Sequence, residues 1–237
     1  MADAGLFIEV SRARLLATAD GALYLPKEET LVVSDLHFEK GSAFAARGVL
    51  LPPYDTRVTL KRLAALVTKL KPLQVISLGD AFHDGEAEAR MEEEDAAALE
   101  GLVAFARWTW VLGNHDPAPP KRFGGEVAMT KRIGRLIFRH EPAKKAADGE
   151  IAGHLHPCAR IRTETRIQRR RCFASDGKRL VMPAFGAYAG GLNVLDAAFA
   201  DILPAPFVFA LGRARVYPIA PALLVADPPS AARLRTA

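Results

Sequence analysis

The stretch LVVSDLHFEKG, residues 31–41, starts as a continuous apolar run and then delivers a carboxylate and an imidazole. A run too short for a helix and rich in β-branched residues predicts a strand buried on both faces, as in a parallel sheet covered by helices. Two further segments repeat the plan: LQVISLGD (73–80) also ends at an aspartate, and WTWVLGNHD (108–116) ends in polar residues. After Pro52 and Pro53, YDTRVTLKRLAALVTKLK (54–71) sets Leu60, Leu63, Ala64, Val67 and Leu70 at helical spacing. The segment GEAEARMEEEDAAALEGLVAFA (85–106) predicts a second helix, whose acidic start suits the positive end of a helix dipole. Three buried strands therefore bring polar groups to their carboxyl ends, where open α/β sheets form their crevice.

Outside this core the pattern changes. LFIEV (6–10) and RLLATADGALYLP (14–26) read as a hairpin, with Asp20 and Gly21 supplying a turn. After Pro117 come short β runs, namely GEVAMT, RLIFRH, EIAGHLH, ARIRTET, RIQRRRCFA, RLVMPAF, LNVL, FVFAL and ARVYPI, which predict an antiparallel or mixed second sheet. Polar strand ends occur in both halves, so residues 1–225 read as one domain and 226–237 as a loose tail. The 237 residues, half of them hydrophobic, suffice for a sizeable core. MADAGLFIEV has no basic start or apolar stretch of a secretory signal and no run reaches membrane-spanning length, so a soluble cytoplasmic protein is expected. Two cysteines, Cys158 and Cys172, without a CxxC pair argue against a zinc knuckle or a disulfide framework. A net charge of +5 permits a polyanionic partner without requiring one.

The six histidines all fall at the end of a predicted strand or in the loop after it. Their surroundings are SDLHFEKG, LGDAFHDG, LGNHDP, FRHEP and AGHLHP. One such word arises by chance; five in this order make a pattern. By these words the chain resembles the calcineurin-like binuclear metallophosphoesterases, whose ordered pattern is DxH, GDxx, GNHD/E, a lone H and GHxH. The resemblance implies an α/β fold, a four-layer αββα sandwich of two mixed sheets flanked by helices. Carried over residue by residue, it implies that Asp35, His37, Asp80 and His156 hold one divalent ion and Asp80, Asn114, His140 and His154 the other, with Asp80 bridging. It places His115 at the scissile phosphate as acid to the leaving oxygen, Asn114 as a group that neutralises developing charge, and Asp116 as the partner that orients the imidazole. His83 lies outside that ligand set and is expected to face the substrate or to shape its loop.

Physical chemistry supports the same assignment. Two divalent ions clamp the attacking and leaving oxygens of an in-line displacement and acidify a bound water to hydroxide. Imidazole and oxygen ligands without thiolate fit manganese, iron or zinc better than calcium or magnesium. In DxH and HxH, an extended backbone would point both side chains to one face, and the glycines of GD, GN and GH would let the backbone turn sharply.

Further words, EKGSAFAARG, LPPYDTRVTLKRL, FRHEP and LVMPAFGAYAGGLNV, are similar to those of the bacterial ligase-associated DNA-damage-response endonucleases. GDAFHDG lacks the tryptophan-containing word of the lipid-precursor pyrophosphatases, which points away from them. The resemblance implies manganese-dependent cleavage of single-stranded DNA and an association with DNA ligase and helicase repair proteins. The run RIRTETRIQRRR (160–171), with six arginines against one glutamate, is either a hairpin tracking a nucleic-acid backbone through residues such as Arg160 and Arg162 or a solvated edge protected by charge. Lys40, Arg47 and Arg57 would add to its rim. Tyr188, in the glycine-rich FGAYAGG, is the leading aromatic for substrate contact, whereas Phe44 and Phe185 read first as core. Two other readings are a small-molecule phosphodiesterase or phosphatase, and a non-catalytic scaffold of the same fold.

Overall fold

The structure, a computed structural model, describes residues 5–49, 51–116, 121–145 and 148–228. Its strands begin with β1 (Leu6–Val10), β2 (Ala13–Ala17), β3 (Leu23–Leu25), β4 (Thr30–Ser34), β5 (Gln74–Leu78), β6 (Arg107–Val111) and β7 (Glu126–Ala128). They continue with β8 (Lys131–Ile133), β9 (Leu136–Arg139), β10 (Glu150–Ala152), β11 (Cys158–Arg162), β12 (Ile167–Ser175), β13 (Arg179–Val181), β14 (Phe207–Leu211) and β15 (Val216–Ile219). The helices are α1 (Lys40–Ala46), α2 (Asp55–Leu70), α3 (Ala87–Arg90), α4 (Glu93–Phe105) and α5 (Ala197–Ala200).

β1 to β7 form one sheet in chain order, antiparallel up to β4 and parallel from β4 to β7. The second sheet runs β15-β14-β12-β13-β10-β9-β8, with β11 paired to β12 beside that path. It is mixed, since β10 is parallel to both β9 and β13 while its other pairs are antiparallel. The expected two mixed sheets are thus present. Their facing surfaces share a core that includes Val32, Ile76, Leu78 and Val111 from the first and Phe138, Ile151, Phe173 and Leu180 from the second. On the outer face of the first sheet, Leu60, Leu63 and Val67 of α2 and Leu99 of α4 cover Leu31, Val33 and Val75. The outer face of the second is covered by less: Phe199 of α5, Val194, Leu203 and the strand β11.

Some expectations change. The predicted helix over 85–106 is two helices, because buried Met91 and Glu92 are extended and the three acids after them start a new first turn in α4. GEVAMT supplies β7 to the first sheet, parallel to β6, and LNVL forms no strand but only a bridge from Asn193 to Cys158. The tail begins tied down, with Arg160 donating to the Ala226 carbonyl and Arg169 to Asp227; residues 229–237 lie outside the described ones. No described helix is long and apolar enough to cross a membrane.

Register positions the chemistry. Ser34, Leu78 and Val111 lie level across β4, β5 and β6, so Asp35, Asp80 and the GNHD segment leave the sheet at one edge. Arg139 is level with Ala152, so His140 and His154 leave the second sheet side by side.

Candidate metal centre

At that edge two triads of ligand atoms converge, Asp35, His37 and His156 in one, Asp80, His140 and His154 in the other. His156 Nε2 lies 3.1 Å from Asp35 Oδ1 and 3.4 Å from His37 Nε2. In the second triad, His140 Nε2 lies 3.4 Å from Asp80 Oδ2, 3.1 Å from His154 Nδ1 and 2.9 Å from Asn114 Oδ1. Asp80 Oδ2 is also 4.0 Å from His37 Nε2, so a single oxygen faces both triads. Its other oxygen accepts the His115 backbone N–H at 2.9 Å, which fixes the carboxylate's rotation.

These groups fit two divalent cations. Imidazole nitrogens a hydrogen-bond length apart need a proton or a cation between them, and carboxylates stand on either side. Burial raises the Asp35 carboxyl, but the hydrogen bond and charge of His156, the His140 charge and Ser34 outweigh it and hold it below its ordinary range. Asp80 is likewise held down against its burial, by the hydrogen bond and charge of His140. Burial would lower His140, yet its Asp80 hydrogen bond and the Asp35 charge push it up to about 9. His37 goes to about 3 because burial wins there. A carboxylate pair that attracts positive charge this strongly favours a cation in the cleft.

The backbone that presents the ligands is strained. Asp35, His37, Asp80, His154 and His156 all have positive φ, from 43° to 66°. Non-glycine residues rarely adopt this region, and where they do, strain is stored for a site. DxH and HxH therefore do not present their side chains from extended backbone, as their spacing suggests; left-handed residues on either side of Leu36 and of Leu155 do it. Gly79, the glycine of GD, turns as expected with φ 71°, but the glycines of GN and GH act differently. Gly113 and Gly153 have no positive φ, but a Cβ at Gly113 would lie 2.2 Å from Asp80 Oδ1, and one at Gly153 2.0 Å from Ser34 Oγ and 2.5 Å from Asp35 Oδ2. Close approach, not turning, requires them. Gly153→Ala is expected to cost about 1–3 kcal/mol through overpacking and to lower the metal bound per chain; a melting curve and metal analysis equal to those of the parent would contradict this.

His115 and His83 complete the cleft. Their rings stack at 5.3 Å and 19°, and both lie edge-on to His37 at 5.3 and 5.7 Å. The acceptor for His115 Nδ1–H is the His83 carbonyl at 3.0 Å, so Nδ1 carries a proton and Nε2 is left for chemistry. This corrects the expectation for Asp116, whose Oδ2 instead accepts the backbone N–H groups of Ala81 and Phe82. Burial, with the Asp80 charge adding to it, pushes Asp116 up to about 7. It braces the loop after Asp80. His83 is buried and its Nδ1 has no partner among the described residues. Sequence patterns do not show the His83 carbonyl, since a backbone acceptor leaves no residue signature. Ser34, which donates to Asp35 Oδ2 at 2.5 Å, was also missed.

The expected substrate residues are not gathered at the cleft. Arg160 bonds the Ala226 carbonyl and faces Asp227, so its guanidinium is engaged within the chain, a correction to its reading as a contact to a nucleic-acid backbone. Arg162 is exposed and makes no hydrogen bond with a described residue. Tyr188 is half-buried, its hydroxyl donating to the Pro52 carbonyl at 2.7 Å. Phe185 is fully buried beneath the Arg62 guanidinium, Phe44 packs 6.0 Å from the His83 ring, and Arg57 pairs with Glu94 and Asp95.

Comparison with known proteins places this geometry. The calcineurin-like phosphoesterase family matches residues 29–180, a span that holds both triads. No curated protein sequence matches the chain. Among solved structures, the nuclease MPE of Pseudomonas putida is similar with a TM-score of 0.71 and 27% identity, over 91% of this chain and 100% of that one. Yfce, a phosphoesterase from E. coli, aligns with a TM-score of 0.40 and 14% identity over 83% of this chain and 98% of its own. With the family matched across most of the fold and residues that could ligate metal converging in two triads, the chain belongs to the calcineurin-like phosphoesterases and is a metal-dependent phosphoesterase.

Proposed function

We propose that this protein is a phosphodiesterase that cuts single-stranded DNA internally, in the cytoplasm, as part of DNA repair alongside ligase and helicase proteins, with manganese as its metal and iron or zinc as the other candidates. The observation that carries the reading is Asp80 Oδ2 facing both triads beside the stacked His115 and His83 imidazoles. A nuclease as a neighbour over nearly the whole chain supports the substrate class.

Asp35, His37, Asp80 and His156 would hold one ion and Asp80, Asn114, His140 and His154 the other. When bound, two divalent ions would supply Lewis acidity to the phosphate and to a water nucleophile. Asn114 adds a polar side chain where charge develops. His115, oriented by the His83 carbonyl, offers Nε2 as the proton donor to the departing alcohol oxygen. His83 lies on the same side of the cleft, so its imidazole is positioned to steady the phosphate. His83→Ala is expected to lower turnover about tenfold or more while both metals stay bound; loss of a metal in metal analysis would contradict that position.

The test uses metal-stripped protein reconstituted with single metals and offered circular single-stranded DNA, duplex DNA, RNA and a small phosphodiester. Linearisation of the circle with manganese is the expected result. Turnover confined to the small diester would favour the small-molecule reading, and none with any metal would overturn both.

A further inference from the structure

The basic run 160–171 divides by face. Residues directly opposite in β11 and β12 share a face, and faces alternate along a strand. On one face, Arg171 donates to the carbonyls of Ala184, Ala187 and Ala189, while Arg169, opposite Arg160, binds Asp227 and the Gly191 carbonyl. These arginines hold the protein's own loops. On the other face, Gln168 and Arg170 join Thr163 and Arg166 of the hairpin turn in lining a groove of about 670 Å³. Its far wall is the end of β14, the turn after it and β15, with Arg213 from the turn and Tyr217 from β15.

No carboxylate lines this groove among the described residues. The Arg166 and Arg213 side chains bond no described residue, and among the described residues Arg170 donates only to the Gln168 amide oxygen. Tyr217, 48% exposed, presents an aromatic face with the Arg215 guanidinium 5.9 Å from its ring centroid. Three cations without an acid, beside an exposed aromatic ring, match what a single strand requires: arginines on the phosphates and a ring on which a base stacks. Position adds to this. β11 is parallel to β10 through the order β10, β13, β12 and β11, so the hairpin extends past the edge at which the metal triads sit.

We infer that this groove is a second binding site for the phosphate backbone of single-stranded nucleic acid, remote from the metal centre and reached only by longer strands. The inference rests on the nucleic-acid reading of the metal centre. The five residues of β11 carry the chain about 16 Å from the centre at ~3.3 Å per residue. A strand stacked as in duplex DNA, at about 3.4 Å per nucleotide, crosses that distance in roughly five nucleotides.

The experiment compares the parent with Arg166→Ala/Arg170→Ala/Arg213→Ala by fluorescence anisotropy, using a hydrolysis-resistant phosphorothioate strand of about 20 nucleotides, within the range of single-strand sites, and a trinucleotide. For the long strand the dissociation constant is expected to rise about tenfold or more, and the slope of log K against log salt to fall by about 2, from three contacts at ~0.7 each. The trinucleotide is expected to show no difference, and an unchanged melting midpoint establishes that the variant is folded. Equal long-strand affinity and equal salt slope in the two proteins would overturn the inference. Cleavage of the circular strand is measured in parallel: weaker binding by the triple variant, with no cleavage by either protein, would uphold the groove and overturn the nuclease reading, and unchanged binding with normal cleavage would do the reverse.

Discussion

Asp80→Ala is expected to abolish phosphodiester turnover, by about 10⁴-fold or more, and to release metal from both sites. The magnitude follows from what one side chain does. Asp80 Oδ2 is the oxygen 3.4 Å from His140 and 4.0 Å from His37, so its loss removes a ligand and a negative charge from both triads together. Metal ions contribute several kcal/mol each to charge stabilisation, and each 1.36 kcal/mol is tenfold in rate, so weakening two sites at once reaches that range. Neighbours do not compensate: Asp35 is held by Ser34 and the His154 backbone N–H, and Asp116 by two backbone N–H groups. Asp80→Asn separates shape from charge, because it keeps an oxygen in place but not the anion. Metal per chain and kcat/KM, measured together, check the prediction. A variant that keeps both metals while losing activity would show that Asp80 is not shared between them, and one that loses both while keeping activity would show that turnover does not depend on them.

The strands that carry Asp35, Asp80 and the GNHD segment were legible because burial on both faces writes a continuous apolar run, and because the register of a parallel sheet then brings their ends to one edge. The helix α2 was legible for a similar reason, an apolar stripe at helical spacing. What the pattern could not carry was the local backbone. Nothing in the letters of DLH or HLH distinguishes extended residues from left-handed ones, since only tertiary packing holds Asp35, His37, His154 and His156 at positive φ. The break at Met91 and Glu92 was hidden because both flanking segments have helix-forming residues. The basic run was visible as charge but not as faces. That Arg160, Arg169 and Arg171 are held while Arg170 is not depends on Asp227 and the 184–191 loop, both outside the hairpin in sequence.

His115→Ala is expected to lower kcat about 10²–10⁴-fold, the usual range for a general acid, while both metals remain. The geometry separates it from the ligands: its backbone N–H supports Asp80, which any residue can do, and its ring is held through Nδ1 by the His83 carbonyl. His154→Ala gives the contrast, because its Nδ1 lies 3.1 Å from His140 Nε2 within the second triad; that variant should lose one metal. The acid role also has a chemical signature. A nitrophenolate departs without protonation, whereas a deoxyribose alcohol does not, so the defect of His115→Ala should be large on DNA and small on a nitrophenyl diester. An equal defect on both substrates would assign His115 to stabilising the phosphate instead. Metal loss equal to that of His154→Ala would place His115 among the ligands and remove the distinction between proton donor and metal centre on which the proposed chemistry depends.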